Sequence, residues 1–215
     1  GKVRKPSKRR IKATEITKML LSSISRNLAT ATPFTTILKD VNSRGKIVSD
    51  ETLMKYVLAL EQMHFLENLD AWNPHIRSKT SLISSPKWHF TDPSIAAAIR
   101  NVSETKLLND LNAMGFYFES MCLRDLRVYS QGLGGKVYYI RSEGGFEVDF
   151  VVELEDGRWG AFEVKMGTDE YDKAASNLIK LRDSVVDTGK MGEPAFLAVL
   201  TAAHMGYTRA DGVHI

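Results

Sequence analysis

The sequence predicts a mixed α and β chain in two parts, a small helical unit followed by an α/β unit organised around a hairpin. Three observations carry that expectation. Apolar residues as far as about residue 63 recur at three- and four-residue steps, the period of an amphipathic helix. After the glycine-rich turn at residues 132–135 the pattern shortens to strand-like runs. Two of those runs are joined by Asp156-Gly157, a strong hairpin signal.

In chain order, Ile16, Met19, Leu20, Ile24 and Leu28 mark one face of a first helix over residues 11–27. Thr32-Pro33 starts a second, with Thr as N-cap and Pro at the first helical position. Phe34, Ile37, Leu38 and Val41 form its inner face, and Arg44-Gly45 ends it. Ser49 caps a third helix, with Asp50 and Glu51 favourable at its positive N-terminus. Leu53, Tyr56, Val57, Leu60 and Met63 carry its buried stripe. Residues 65–69 read as a strand, Asn73-Pro74 as a turn, and residues 79–84 as the return strand of a hairpin. Three helices and then a β-hairpin is the winged-helix order. Residues 87–90 form another short strand, and Asp92-Pro93 opens a helix to about Arg100. A longer helix is expected over residues 106–129, with Phe116, Met121, Leu123 and Leu126 among its core candidates. Strands follow at residues 137–141, 147–154 and 159–166, then a helix over 170–186 and a fully apolar strand at 195–200. The expected division is a basic tail at residues 1–12, a winged-helix-like unit at 13–85 and an α/β domain at 86–215.

Composition narrows the classes of function. With 215 residues and 43% hydrophobic content the chain is long enough to bury a real core. Cys122 is the only cysteine, which excludes an internal disulfide and a cysteine-based zinc site. His64, His75, His89, His204 and His214 fall in no metal-ligand spacing. No apolar run approaches the roughly 20 residues that span a bilayer, and Lys12, Glu15 and Lys18 interrupt the one stretch that could pass for a signal peptide. No membrane partner and a cytoplasmic setting are expected. The formal net charge is +3, but seven of the 29 basic residues lie in residues 1–12, so 22 face 26 acidic residues in the rest. The body is mildly acidic and the basic character is a tail, either a nonspecific phosphate binder or a solubilising linker. The opening Gly1 points to a piece of something longer.

The chemistry lies in the strand carrying Glu147, Asp149 and Val151, the hairpin turn, and the strand carrying Phe162, Glu163, Val164 and Lys165. Side chains alternate along a strand, so Glu163 and Lys165 share one face while Phe162 and Val164 take the other. Asp149, flanked by Val148 and Phe150, can bring a second carboxylate to the same end, and an Asp among core residues is costly unless paired or metal-bound. Two carboxylates and a backbone carbonyl suit Mg²⁺ or Mn²⁺. In that arrangement Asp149 and Glu163 are the ligands and Val164 offers its carbonyl. Lys165 sits beside the attacking water, and Glu119 on the preceding helix reaches in as an outer ligand. A Glu-x-Lys on a strand is also an ordinary surface ion pair, and spacing alone leaves both readings open.

The order helix-Glu119, strand-Asp149, strand-Glu163-Val164-Lys165, helix, strand resembles the PD-(D/E)XK, or restriction-endonuclease-like, superfamily. More widely the chain is similar to the C-terminal half of a family of prokaryotic AAA-type ATPases, over residues 52–72, 87–95, 115–119 and 147–165. In that family a P-loop domain precedes a winged helix and a nuclease-like module. The resemblance implies a metal-dependent phosphodiesterase fold with Asp149, Glu163 and Lys165 at catalytic positions, acting on or gripping DNA. ATP would belong only to the missing N-terminal ATPase domain: residues 132–136 lack the initial Gly of a phosphate loop, and Val137 stands where Ser or Thr should hold Mg²⁺. The third helix presents Asp50, Glu51, Lys55 and Glu61, ill-suited to reading a groove. Arg77 and Lys79 in the wing, and Lys87 just after it, are the expected contacts to a DNA backbone. The competing reading is a noncatalytic module that docks a protein partner or DNA; a transcription factor with a sensory α/β domain is the third.

Overall fold

The computed structural model describes residues 13–43, 47–75 and 82–215. The basic tail, the Arg44-Gly45 helix end, and Arg77 and Lys79 lie outside these residues. Within them the chain is a mixed α and β structure with a four-stranded sheet and several helices.

Three helices come first: α1 (Ala13–Arg26), α2 (Phe34–Asn42) and α3 (Asp50–Gln62). Ile16, Leu20 and Ile24, one turn apart, bury the α1 stripe against Ile37 and Val41 of α2 and Leu53, Val57 and Leu60 of α3. Ser49 caps α3 by accepting from the Thr52 N–H. At α2 the expected cap shifts by one residue: Pro33 is the N-cap, and the Thr32 hydroxyl bonds Thr30 and Asn27 instead.

Residues 66–69 meet a partner other than the expected one. Leu66 bridges Phe90 and Leu69 bridges Lys87, both antiparallel, whereas Leu82 bridges Ser142 at the end of the large sheet. Trp88 and Phe90 are thereby buried in the helical cluster, where α4 (Pro93–Arg100) packs on α1. Asp92 caps α4 through the Ser94 N–H.

The expected single helix over 106–129 is two, α5 (Glu104–Leu108) and α6 (Leu111–Gln131). Asn109 is the C-cap of the first, and Asp110 caps the second by accepting from the Ala113 N–H. On α6 Leu123 faces the core, while Phe116 and Met121 are on the exposed side, at 44% and 38%.

The sheet runs β1 (Gly135–Arg141), β2 (Glu147–Leu154), β3 (Trp159–Lys165), β4 (Leu197–Thr201), in that spatial order. The first two pairings are antiparallel and β3–β4 is parallel. Gly157, at φ 85°, takes the left-handed conformation that the hairpin turn requires. α7 (Tyr171–Lys180) connects β3 to β4, prolonged by a π-helical turn, Leu181–Val185. On one face of the sheet Val151, Trp159, Ala161, Leu197 and Val199 pack against Tyr171, Ala174, Ala175 and Leu178 of α7. On the other, Phe150, Phe162 and Val164 pack against Leu123 and its neighbours on α6. Trp72 enters the first of these clusters, its ring 5.1 Å from that of Trp159.

Candidate active site

The alternation along β3 sends Phe162 and Val164 into the α6 cluster and Glu163 and Lys165 to the opposite face, under α7. Phe150 pairs with Phe162 across the β2–β3 ladder, so Asp149, one residue before Phe150, lies beside Glu163 and Val164. Its Oδ2 accepts from the Val164 N–H at 2.8 Å. Lys165 Nζ donates to Glu163 Oε2 at 2.8 Å and lies 3.7 Å from Asp149 Oδ2. The second oxygen of Glu163 accepts from Asn177 Nδ2 of α7, which also holds the Glu147 carbonyl, each at 2.5 Å. Two carboxylates therefore converge on one ammonium, each fixed from behind by a further donor.

Glu163 is 4% exposed. Its burial, and then the nearby charge of Asp149, push its carboxyl up to about 7, against the opposing pull of Lys165 and Asn177. Burial draws the Lys165 ammonium downward, but Asp149 and Glu163 outweigh it and leave the pKa raised. An open cleft of about 620 Å³ reaches these groups, lined by Phe146, Asp149, Glu163, Lys165, Lys173 and Asn177 among others.

A second cluster adjoins the first. Lys87 is 2% exposed and pairs with Glu119 Oε1 of α6 at 3.1 Å and Glu147 Oε1 of β2 at 2.7 Å. Burial alone would depress its pKa, but Glu119, Asp149 and Glu147 together hold it above the ordinary lysine range. Burial pushes Glu119 up to about 7, partly offset by Lys87. Lys87, read from the sequence as a nucleic-acid contact, is thus an internal ion-pair residue. Its short β-bridge with Leu69 turns it inward between α6 and β2, and its ammonium is engaged by carboxylates. Glu119 lines a cleft together with Asp149 and Lys165, and its carboxylate is held by Lys87.

Two residues here escaped the sequence reading. Asn177 carries no spacing signal that marks it apart from other polar positions of α7. Glu147 lies within the quoted motif, yet its pairing with Lys87 depends on contact across 60 residues of chain.

The donor set present is all oxygen, and it fits a hard divalent cation. Asp149 and Glu163 are close enough to share one positive group, and no third His, Cys, Asp or Glu joins them as a ready ligand set among the described residues. Mg²⁺ is commonly held by one or two carboxylates, with water and substrate phosphate completing its shell. The Val164 main chain adjoins Asp149 through its N–H.

No described helix is long and apolar enough to cross a membrane. No curated protein and no solved structure matches the chain. Residues 6–106 match the family model described as Domain of unknown function (DUF8612), and residues 114–215, which hold every strand of the sheet and the Asp149–Glu163–Lys165 cluster, match Domain of unknown function (DUF4143).

Proposed function

We propose that the α/β domain is a Mg²⁺- or Mn²⁺-dependent phosphodiesterase of the restriction-endonuclease-like kind, acting on DNA. The α/β domain would be the C-terminal module of an AAA-type ATPase, following a winged helix. The observation that carries the activity is the convergence of Asp149 and Glu163 on the Lys165 ammonium in an open cleft. The ATPase setting rests on the sequence resemblance over residues 52–72, 87–95, 115–119 and 147–165.

Asp149 and Glu163 would hold the cation, with Val164 offering its carbonyl and Glu119 in the outer position. When bound, the cation supplies Lewis-acid polarisation of a phosphodiester oxygen and lowers the pKa of a water. The chain's own residues do the rest. The Val164 N–H holds one Asp149 oxygen and leaves the other to turn toward the cleft. Asn177 fixes the Glu163 carboxylate plane. Lys165, kept protonated by its two carboxylates, steadies negative charge on the phosphoryl oxygens.

Calorimetric titration of Mg²⁺ and Mn²⁺ into the wild type and Asp149→Ala, with plasmid nicking on the same samples, tests this reading. Metal binding and nicking are expected in the wild type, and both should be lost in the variant. Equal metal binding by the two proteins, without nicking in either, would sink the catalytic assignment.

A noncatalytic docking module is the second reading. It is favoured by the sealing of Lys87 among carboxylates and by the acidic first turn of α3, Asp50 and Glu51, which take two described positions away from backbone contact. DNA affinity indifferent to Asp149→Ala and Glu163→Gln would select it.

A further inference from the structure

The cleft at Asp149 and Glu163 adjoins a second along their shared lining, and the two together are taken as one groove. A second cleft of about 380 Å³ shares Asp149, Lys165 and Glu170 with it and continues along α6 past Asn112, Gly115 and Phe116. The two walls differ in chemistry. On α7, Lys173, Asn177 and Lys180 recur at helical spacing and line the first cleft, with both lysines exposed. The Lys180 ammonium sits 5.3 Å from the Phe146 ring centre, at the same wall. On α6 the wall is aromatic and polar, with an acidic floor of Glu119, Asp149 and Asp169.

Phe116 and Gly115 are unexplained by packing. Phe116 is 44% exposed and lines the groove, while Phe118, two residues on, lines it too but is partly buried against the core beneath α6. Gly115 lies inside a 21-residue helix, where glycine lowers stability relative to alanine. A Cβ at this position would meet no heavy atom within 4 Å, so no neighbour requires the glycine. Its effect is to leave a flat, uncovered stretch of helix wall beside an exposed ring.

We propose that this groove takes an unpaired stretch of nucleic acid, with one base stacked on Phe116 over Gly115 and the adjoining phosphates running along Lys173 and Lys180. The assignment rests on the reading of Asp149 and Glu163 as the phosphodiester site, to which it adds the substrate class. A base offers a π-face that stacks on an aromatic ring whatever its identity, and this face is open only when the base is unpaired. Beyond the cation that Asp149 would hold, Asp169 on the floor near α6 repels phosphates and admits a base edge, whose exocyclic amine can donate to a carboxylate and whose polar atoms match the Asn112 amide. The lysine wall on α7 does the opposite and attracts the backbone. A duplex hides its base faces and would leave Phe116 exposed.

The test is fluorescence anisotropy with a labelled single strand of adenine and cytosine, whose bases carry exocyclic amines and do not pair with each other, and a labelled duplex of the same sequence, in Ca²⁺ so that binding is read apart from turnover. The single strand should bind more tightly than the duplex. Phe116→Ala should weaken it about tenfold, the size of one lost base stack, and Phe116→Tyr should restore it. Gly115→Ala should raise the thermal midpoint while weakening single-strand binding, two opposite movements that a purely structural role does not produce. Equal affinity for duplex and single strand, or wild-type single-strand affinity in both Phe116→Ala and Gly115→Ala, would overturn the proposal. Loss of the phosphodiesterase reading has a separate signature, no nicking in Mg²⁺ or Mn²⁺, and leaves these affinities as measured.

Discussion

Glu163 is the residue on which the site's pH behaviour turns. Its carboxyl lies at about 7 in the folded protein, above the ordinary 4.5, because burial and Asp149 both disfavour the charge. Between those two values the folded state binds more protons than the unfolded one, so stability falls as pH rises. The contribution is fully present below 4.5 and is lost as pH passes through about 7; Glu119 acts in the same direction over the same window. Glu163→Gln should therefore match the wild type near pH 4.5 and exceed it at pH 8 by about 3 kcal/mol in urea unfolding without metal. Mg²⁺ should reverse that order by stabilising the wild type alone. A variant less stable than wild type at pH 8, with no metal present, would count against this account of Glu163.

At the scale of elements, β3 is the strand on which the site depends. Residues 159–164 are all buried, and only Lys165 emerges at its end. Gly160 belongs to that strand because of a close approach: a Cβ there would sit 2.5 Å from the Phe196 ring. Gly160→Ala should cost about 2 kcal/mol by overpacking, read as a lowered urea midpoint with unchanged slope. A parallel loss of metal affinity would show that the Glu163–Lys165 end of β3 moves with its centre. After the α5–α6 break, Asp110 caps the helix from which Asn112, Phe116 and Glu119 reach the groove.

Across the whole molecule, Lys87 is the tie between the segment that follows the first three helices and the carboxylates of the sheet domain. Its neighbours on that segment, Trp88 and Phe90, are buried with α1–α4, while its own ammonium serves Glu119 and Glu147. Next to it His89 is fully buried, with its pKa driven well below the ordinary range by burial and by Lys87, and it contacts Ser120 of α6 at 3.0 Å. Lys87→Ala should destabilise the chain by about 3 kcal/mol, because it leaves the largely buried Glu119 carboxylate without its cation, whereas Glu147 keeps Arg141. Lys87→Met combined with Glu119→Gln should recover part of that loss, since the uncompensated charge is removed with its partner. Equal losses in the single and double variants, measured by urea unfolding, would show that packing and not charge holds this contact.

The periodicity of the sequence determined most elements: α1, α3 with its Ser49 cap, α4 with its Asp92 cap, and the β2–β3 hairpin with Gly157 at its turn. It also determined that Glu163 and Lys165 share a face, because strand alternation is a property of the local backbone. Tertiary structure decided what depends on partners distant in sequence. It paired residues 66–69 with 87–90 and sent Leu82 to Ser142, since a short strand shows its own period but nothing in it names a partner. It turned Phe116 outward, because burial along a helix follows rotation about its axis, and that rotation is fixed by the packing of Leu123 and its neighbours against the sheet. It took Lys87 inside, since a lysine reads as exposed until the carboxylates that neutralise it, 32 and 60 residues further along, are folded against it.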